Sequence, residues 1–402
     1  MKNTCEICNS KKLPTVLDLG KHPLCDDLIK IGDKKKNKLY KIEINFCKKC
    51  IIAYQKYQVP KKKLFPLNYH YRSKFTKDVI RGMQDVVHKS KKYCGTLKNK
   101  IVLDVGCNDG SLLDFFKKEK SITIGIEPTN SANEAKAKGH KIYKSYIDSK
   151  TVKILNKKYP RIDIITFTNV FAHIEDLKKL VHNLKLLISE ETVLIIENHY
   201  LGSVIKKRQF DTFYHEHPRT YSLKSFIEIS KMLETNLVSY SFPKRYGGNI
   251  RVILSNKKKG RRSFQKVLKK EKLYFSQLKK INYDIQRWKT KKLNIINDLV
   301  KKFGALPAKG FPGRAAILIQ ILNLNKQHIS SIFEQNKSNK VGNYAPGTKI
   351  PIVSDVGLRK IKKNVPIINL AWHISKEIKS YLKKNRINNK VIDILNQQDF
   401  QK

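Results

Sequence analysis

The apolar positions of this chain fall into two periods that trade places along its length. Residues 1–65 hold short apolar stretches broken by turns, the pattern of small strands, and end in the basic stretch Val59-Pro-Lys-Lys-Lys63. Between 70 and 95 the spacing changes to three and four, with Phe75, Val79, Met83 and Val86 on one stripe, which predicts an amphipathic helix. IVLDVGCNDGSLLDFF then reads as a buried strand, a Gly-containing turn and an amphipathic helix. ITIGIEP and DIITFTNV repeat the strand-then-helix order, and TVLIIENH follows. Strands alternating with helices at this spacing predict a parallel α/β sheet, with NLVSYSF and NIRVILS completing it as an antiparallel edge. From about Arg262 to Phe303 the apolar residues sit at helical spacing in a Lys-rich stretch, which predicts one or two long helices. After Gly304 a second α/β pattern begins with FGALPAKGFPGRAAILIQIL, HISSIFEQN and later PIINLAW. The expected units are therefore 1–65, 70–255 and 262–402, the last two α/β.

Composition narrows the setting. A chain of 402 residues suits two or three domains, and an apolar fraction of 40% can build their cores. No run of eighteen apolar residues occurs, so no membrane insertion is expected. MKNTCEICNS has no apolar core of a signal peptide, which makes a cytoplasmic location the expectation. The charge is +50, from 83 Lys+Arg against 33 Asp+Glu. Such charge suits a partner rich in phosphate, or equally a Lys-, Ile- and Asn-heavy composition from an AT-rich genome. The lysines are scattered (Lys34–Lys36, Lys61–Lys63, Lys257–Lys259, Lys279–Lys280) and form no aromatic-interleaved module, so no nucleic-acid partner is expected.

Four of the seven cysteines are patterned. Cys5-x-x-Cys8 and Cys47-x-x-Cys50 are two knuckles whose tight turns can aim four thiolates at one tetrahedral zinc, with no position open for a catalytic water. Four unrelated reduced cysteines is the competing reading. Cys25, Cys94 and Cys107 stand alone.

Chemistry concentrates at two later places. Asp104-Val-Gly106-Cys-Asn108-Asp109-Gly110 follows an apolar strand and opens a helix. A dinucleotide fold would show G-x-G-x-x-G there to cradle a pyrophosphate. The acidic loop found instead would repel a pyrophosphate and suits a cationic, amino-acid-bearing cofactor, S-adenosylmethionine. Glu127, followed by Pro128, ends the second strand about twenty residues on, where a carboxylate accepts from ribose hydroxyls. Asn169 ends the fourth strand at the same edge. A tight strand–helix turn without ligand is the bland alternative. After the fifth strand, Phe210-Asp-Thr-Phe-Tyr214-His215-Glu216-His217 closes on four protic residues, and an imidazole near pKa 6.5 suits a general base. A polar loop or a second zinc site would explain the same stretch.

These phrases together resemble the sugar C-methyltransferases that act on nucleotide-linked 4-keto-deoxysugars. The likeness runs through the two knuckles, Leu103-Asp-Val-Gly-Cys-Asn-Asp-Gly-Ser-Leu-Leu113, Asn169-Val-Phe-Ala-His173-Ile-Glu-Asp-Leu177 and the Tyr-His-Glu-His cluster. It continues in Tyr246-Gly-Gly-Asn-Ile-Arg251, Pro307-Ala-Lys-Gly310, Tyr344-Ala-Pro-Gly-Thr-Lys-Ile-Pro351 and Leu370-Ala-Trp372. The resemblance implies a Rossmann-like class I methyltransferase sheet between a small N-terminal zinc-binding domain and a C-terminal α/β domain, with S-adenosylmethionine and structural Zn2+ as cofactors. It implies a nucleotide-sugar substrate, and a monomer or weak homodimer is expected. It also implies His217 as base, with Glu216 and Tyr214 beside it, Tyr71 reaching the active site and His173 at the cofactor–sugar junction. Tyr71, Tyr214 or His173 would then stabilise an enolate. Two phrases depart from the pattern: Asn249-Ile-Arg251 stands where many relatives have Ser-Leu-Arg, and Phe-Pro-Gly-Arg314-Ala-Ala follows Gly310 in place of Asn-Thr-Leu-Leu-Asn. A sugar O-methyltransferase and a zinc-containing RNA-binding protein remain as rival readings.

Overall fold

The computed structural model describes residues 1–69, 71–75, 77–257 and 263–400, the side chains of Phe75, Lys77 and Tyr246 excepted. The side chains of Phe75 on the helical stripe and of Tyr246 at the head of the Gly-Gly phrase, together with Lys258, Lys259 and Arg262, lie outside the described residues. The rest of the stripe behaves as expected: Val79, Met83 and Val86 are buried on the helix Lys77–Cys94.

Three sheets organise the chain. The first is antiparallel, with Thr15–Pro23, Leu39–Cys47 and Ile52–Gln55 in order. Its fourth strand, Arg219–Thr220, comes from far downstream and pairs Arg219 with Tyr54 and Thr220 with Ala53.

The second sheet has seven strands, ordered Asn236–Ser241, Asn249–Ser255, Val193–His199, Ile164–Thr168, Ile101–Val105, Ile122–Ile126 and Lys141–Tyr143. The last five in that order are mutually parallel. Ile101–Val105, Ile164–Thr168 and Val193–His199 are almost wholly buried because helices cover both faces, which is why they read as unbroken apolar runs. Asn249–Ser255 runs antiparallel to Val193–His199, as expected, while Asn236–Ser241 lies outside it. The short strand Lys141–Tyr143 carries too little apolar pattern to have been read. Ile101–Val105 lies between Ile122–Ile126 and Ile164–Thr168, so the crossovers on its two sides diverge and open a crevice at the carboxyl ends of these strands.

The third sheet is parallel through Val391–Asp393, Ile367–Asn369, Leu306–Lys309, Ile329–Glu334 and Pro351–Ser354. Antiparallel additions follow: Asn343–Tyr344 and then Ile29–Lys30, a strand supplied by the N-terminal segment. The Lys-rich stretch forms the helices Gln265–Glu271 and Tyr274–Phe303. The longer one is a spine. Its Trp288, fully buried, packs on Phe210 and donates to the Ile394 carbonyl at 3.0 Å, while Asn282 donates to the Val16 carbonyl. Among the described residues no helix is long and apolar enough to cross a membrane.

Candidate active site

The four sulfurs of Cys5, Cys8, Cys47 and Cys50 lie within 4.8 Å of one another. Cys5 and Cys50 are 3.8 Å apart and Cys8 and Cys47 3.6 Å. A zinc–sulfur bond of about 2.3 Å gives a tetrahedron with edges of about 3.8 Å, which the two given separations match. Tyr54 shares a hydrogen bond of 3.2 Å with the Cys5 sulfur, and Ser10 one of 3.0 Å with Cys8. The four cysteines would hold a structural zinc, closed to any further ligand.

The crevice of the second sheet widens into a cavity of about 1150 Å³. Asp104, Gly106, Asn108, Glu127, Pro128 and Asn169 line its cofactor end. Gly106 has φ +73°, and a Cβ there would meet Val170 Cγ2 at 2.5 Å, so both backbone and packing require glycine. Asp104 is buried and accepts from Thr166 Oγ1 at 2.7 Å. Burial pushes its carboxyl up to about 7, with Glu127 adding and the Thr166 hydroxyl opposing. Glu127 accepts from the amides of Asn108 at 3.1 Å and Thr129 at 2.9 Å. Among the described residues neither carboxylate is ion-paired, so no competing cation stands between them and a cationic cofactor, which would favour the charged form of Asp104. Asn169 sits at φ 57° and accepts from Asn249 Nδ2 at 3.1 Å.

Two residues expected at the cofactor do not line the cavity. Asp109, fully buried, accepts from the amide and hydroxyl of Ser111 at the start of the following helix and from the Lys74 amide at 3.0 Å, which ties down the segment carrying Tyr71. Gly110, at φ +77°, is packed against His140 and Ala135. Their role is to shape the loop.

At the other end of the cavity, His217, Glu216, Tyr214 and His173 meet as expected. His217 Nδ1 donates to the Thr212 carbonyl at 3.0 Å, which leaves Nε2 as proton acceptor. Its ring centre lies 4.2 Å from that of Tyr214, 5.0 Å from His173 and 5.2 Å from His199. Burial holds its pKa well below the ordinary value, and His173, His199 and Arg314 add to this, so the imidazole is neutral. Burial pushes the Glu216 carboxyl up to about 8, with Asp26 adding and Tyr69 and Lys340 opposing. His215 points elsewhere, to the Tyr40 carbonyl at 3.1 Å.

His173 and Tyr71 both line the cavity. His173 Nδ1 donates to the Glu216 carbonyl at 2.6 Å, and burial lowers the ring's pKa while the Glu216 and Asn169 carbonyls oppose the shift. Tyr71 lines the cavity but its residue is 39% exposed, and the phenol that reaches the acidic partner is that of Tyr69, donating to Glu216 Oε2 at 3.0 Å. His199, His373 and Arg314 also line the cavity and were not singled out from sequence. His199 had a readable signal, a polar residue ending a buried strand beside the one that ends in Asn169. Arg314 stands in the departing phrase after Gly310. Its Nε donates to Asp211 Oδ2 at 2.8 Å and Nη2 to Oδ1 at 2.5 Å, while Trp372 Nε1 donates to the same carboxylate at 2.8 Å.

Three family models match consecutive stretches: "Putative zinc binding domain" at 5–65, "Methyltransferase domain" at 75–238 and "C-methyltransferase C-terminal domain" at 244–392. The chain is 21% identical to C-methyltransferase NovU of Streptomyces niveus over 385 residues, 93% of this chain and 90% of that one. It is 33% identical to a ubiquinone biosynthesis O-methyltransferase of Coxiella burnetii over 96 residues, spanning 23% of this chain and 41% of the relative. Among solved structures, magnesium protoporphyrin IX methyltransferase from Synechocystis PCC 6803 with bound SAM overlaps 44% of this chain and 80% of its own, at 13% identity and a TM-score of 0.34. Three matched domains in one order, zinc-fitting knuckles and an acidic crevice describe an S-adenosylmethionine-dependent C-methyltransferase with a zinc-binding domain ahead of its catalytic sheet.

Proposed function

We propose that the enzyme methylates carbon 3 of a nucleotide-linked 4-keto-deoxysugar, with His217 as the base that forms the enolate. The observation that carries this reading is the set tautomer of His217, whose Nε2 is a neutral proton acceptor in a cavity shared with the cofactor loop. The ketone at carbon 4 acidifies the hydrogen on carbon 3. His217 Nε2 takes that proton, and the bonding pair moves into the enolate. Burial keeps Tyr214 protonated and raises Glu216 toward its protonated form, so both can donate to the developing oxyanion. Asp104, Glu127 and Asn169 would hold S-adenosylmethionine, with Gly106, Asn108 and Pro128 shaping the contact. When bound, that cofactor supplies an electrophilic methyl group and leaves as a neutral thioether. The protein holds acceptor carbon and methyl donor in near-attack geometry and keeps water out of the crevice. Lys337 and Lys340, on the C-terminal rim of the same cavity, suit a nucleotide diphosphate.

The test is incubation with a thymidine-diphosphate 4-keto-6-deoxysugar in heavy water, with and without cofactor, read by mass spectrometry. Deuterium uptake beside the ketone and a carbon-bound methyl, both lost in His217→Ala, are the expected results. Methyl gain without exchange would move the acceptor to oxygen. If neither exchange nor methyl gain occurs, the keto-sugar assignment or the chosen nucleotide is wrong.

A further inference from the structure

Both cysteine pairs run directly into groups that grip the segment carrying His217. Glu6 lies between Cys5 and Cys8, and its Oε2 accepts Arg219 Nε at 2.7 Å and Arg219 Nη2. Its Oε1 accepts the Leu177 amide and the Lys2 ammonium, each at 3.2 Å. Arg219, two residues past His217, is 1% exposed. It also donates from Nη1 to the Ile174 carbonyl and from Nη2 to the Glu175 carbonyl at 3.0 Å, closing over the turn that carries His173.

The second knuckle acts through the strand that begins just past Cys50. The Gln55 amide donates to the Pro218 carbonyl at 2.9 Å, and Gln55 Nε2 donates to the carbonyls of Phe213 at 3.2 Å and Tyr214 at 3.1 Å. Tyr54 pairs with Arg219 in the sheet and bonds the Cys5 sulfur. The segment so held has little regular structure of its own, only the turn Phe210–Thr212 and the strand Arg219–Thr220. Glu6, Tyr54 and Gln55 all bind it, and each lies within five residues of a cysteine ligand.

We propose that Glu6, Gln55 and Arg219 are positioning residues for His217, and that metal at the four cysteines thereby controls the proton-abstraction step. The proposal rests on the reading of His217 as base. Metal ligation and folding of such knuckles are one equilibrium. Without metal, Glu6 loses its fixed place and Arg219 is left as a buried charge without its partner. The residues that face His217 then lose their frame, although the zinc, with all four positions filled by sulfur, touches no substrate.

The test uses the full-length holoprotein with Gln55→Leu, which keeps volume and removes two donors, and Glu6→Gln, which removes the charge. Metal content is read by elemental mass spectrometry and cofactor affinity by calorimetry. Substrate deuterium exchange is read with its kcat and KM. Amide hydrogen exchange of 212–220 is followed with metal present and after chelation. Each variant is expected to keep its metal and its cofactor affinity within about twofold while kcat falls at least about tenfold at unchanged KM, since displacement by about 1 Å costs on the order of 10²-fold. Chelation of the wild type should speed amide exchange in 212–220 at least tenfold while the strands Ile101–Val105 and Ile122–Ile126 keep their protection. Unchanged kcat in both variants, loss of cofactor affinity in step with activity, or unchanged protection of 212–220 after chelation would each overturn the proposal. Failure of the base assignment is seen separately, as substrate exchange that survives His217→Ala. The amide readout needs no substrate and judges the coupling on its own.

Discussion

Replacing Arg314 by methionine removes a guanidinium that lies 8% exposed against a fully buried carboxylate, that of Asp211. Methionine nearly fills the space, so the cost is electrostatic. Asp211 loses three contacts' worth of compensation down to one, the Trp372 indole N–H at 2.8 Å. Breaking a buried pair from one side costs about 3–5 kcal/mol, a large part of a typical stability of about 5–15 kcal/mol. Exchanging both partners, Arg314→Met with Asp211→Leu, removes the stranded charge. The residual cost is then that of the unpaired Trp372 N–H, about 1–3 kcal/mol. The two single costs should therefore exceed the double by at least about 2 kcal/mol. Urea unfolding followed by the fluorescence of Trp288 and Trp372 measures all three variants. A second reading comes from pH. The Arg314 charge adds to burial in depressing His199, to about 3, and it also lowers His217. Without that charge the His217 pKa rises, so the acidic limb of kcat/KM moves to higher pH. A cost below about 1 kcal/mol for Arg314→Met, or strict additivity in the double variant, would refute the reasoning.

Gly106→Ala forces an L side chain into a left-handed conformation, a strain of about 1–2 kcal/mol, and drives Cβ onto Val170. Calorimetry should show cofactor affinity reduced about tenfold or more in a protein that still folds. Because Asp104 titrates near 7, cofactor affinity should rise as pH climbs through that value, and Asp104→Asn should bind more weakly with that dependence removed. Glu216 has its folded pKa raised to about 8 from the ordinary 4.5, so its contribution to stability is complete below the ordinary value and is lost as pH rises through about 8; Glu216→Gln should flatten that part of a denaturation–pH profile. Elemental analysis should find one zinc per chain, and Cys8→Ala should lose it and lower the thermal midpoint.

The parts legible in the sequence are those whose physics is local. Ile101–Val105 and Ile164–Thr168 are buried on both faces and so read as continuous apolar runs, and the knuckles and the acidic loop carry their spacing with them. Asp109 and Gly110 share that loop with Asp104 and Gly106, but only the path of the chain shows that they face away from the cavity. The same holds for Tyr69 and Tyr71, two positions apart, where the route of the segment decides which phenol meets Glu216. The tether of His173 depends on a carbonyl 43 positions away, which no spacing reveals. Ile29–Lys30 and Arg219–Thr220 are two residues each and have no period to read. Their pairing energy comes from partners elsewhere in the chain.

That exchange of strands bears on how the protein is made. As the chain leaves the ribosome, the sheet bearing the knuckles stays one strand short until Arg219–Thr220 emerges, on the order of ten seconds after Ile52–Gln55. Through that interval the nascent chain shows an unpaired edge of fully buried character, and Glu6 waits without its arginine. Early metal capture would hold the knuckles ready, but the sheet closes only when the catalytic segment arrives to complete it. A molecule that misses that closure exposes a sticky strand edge as well as an idle active site, so quality control can recognise an inactive copy by its surface.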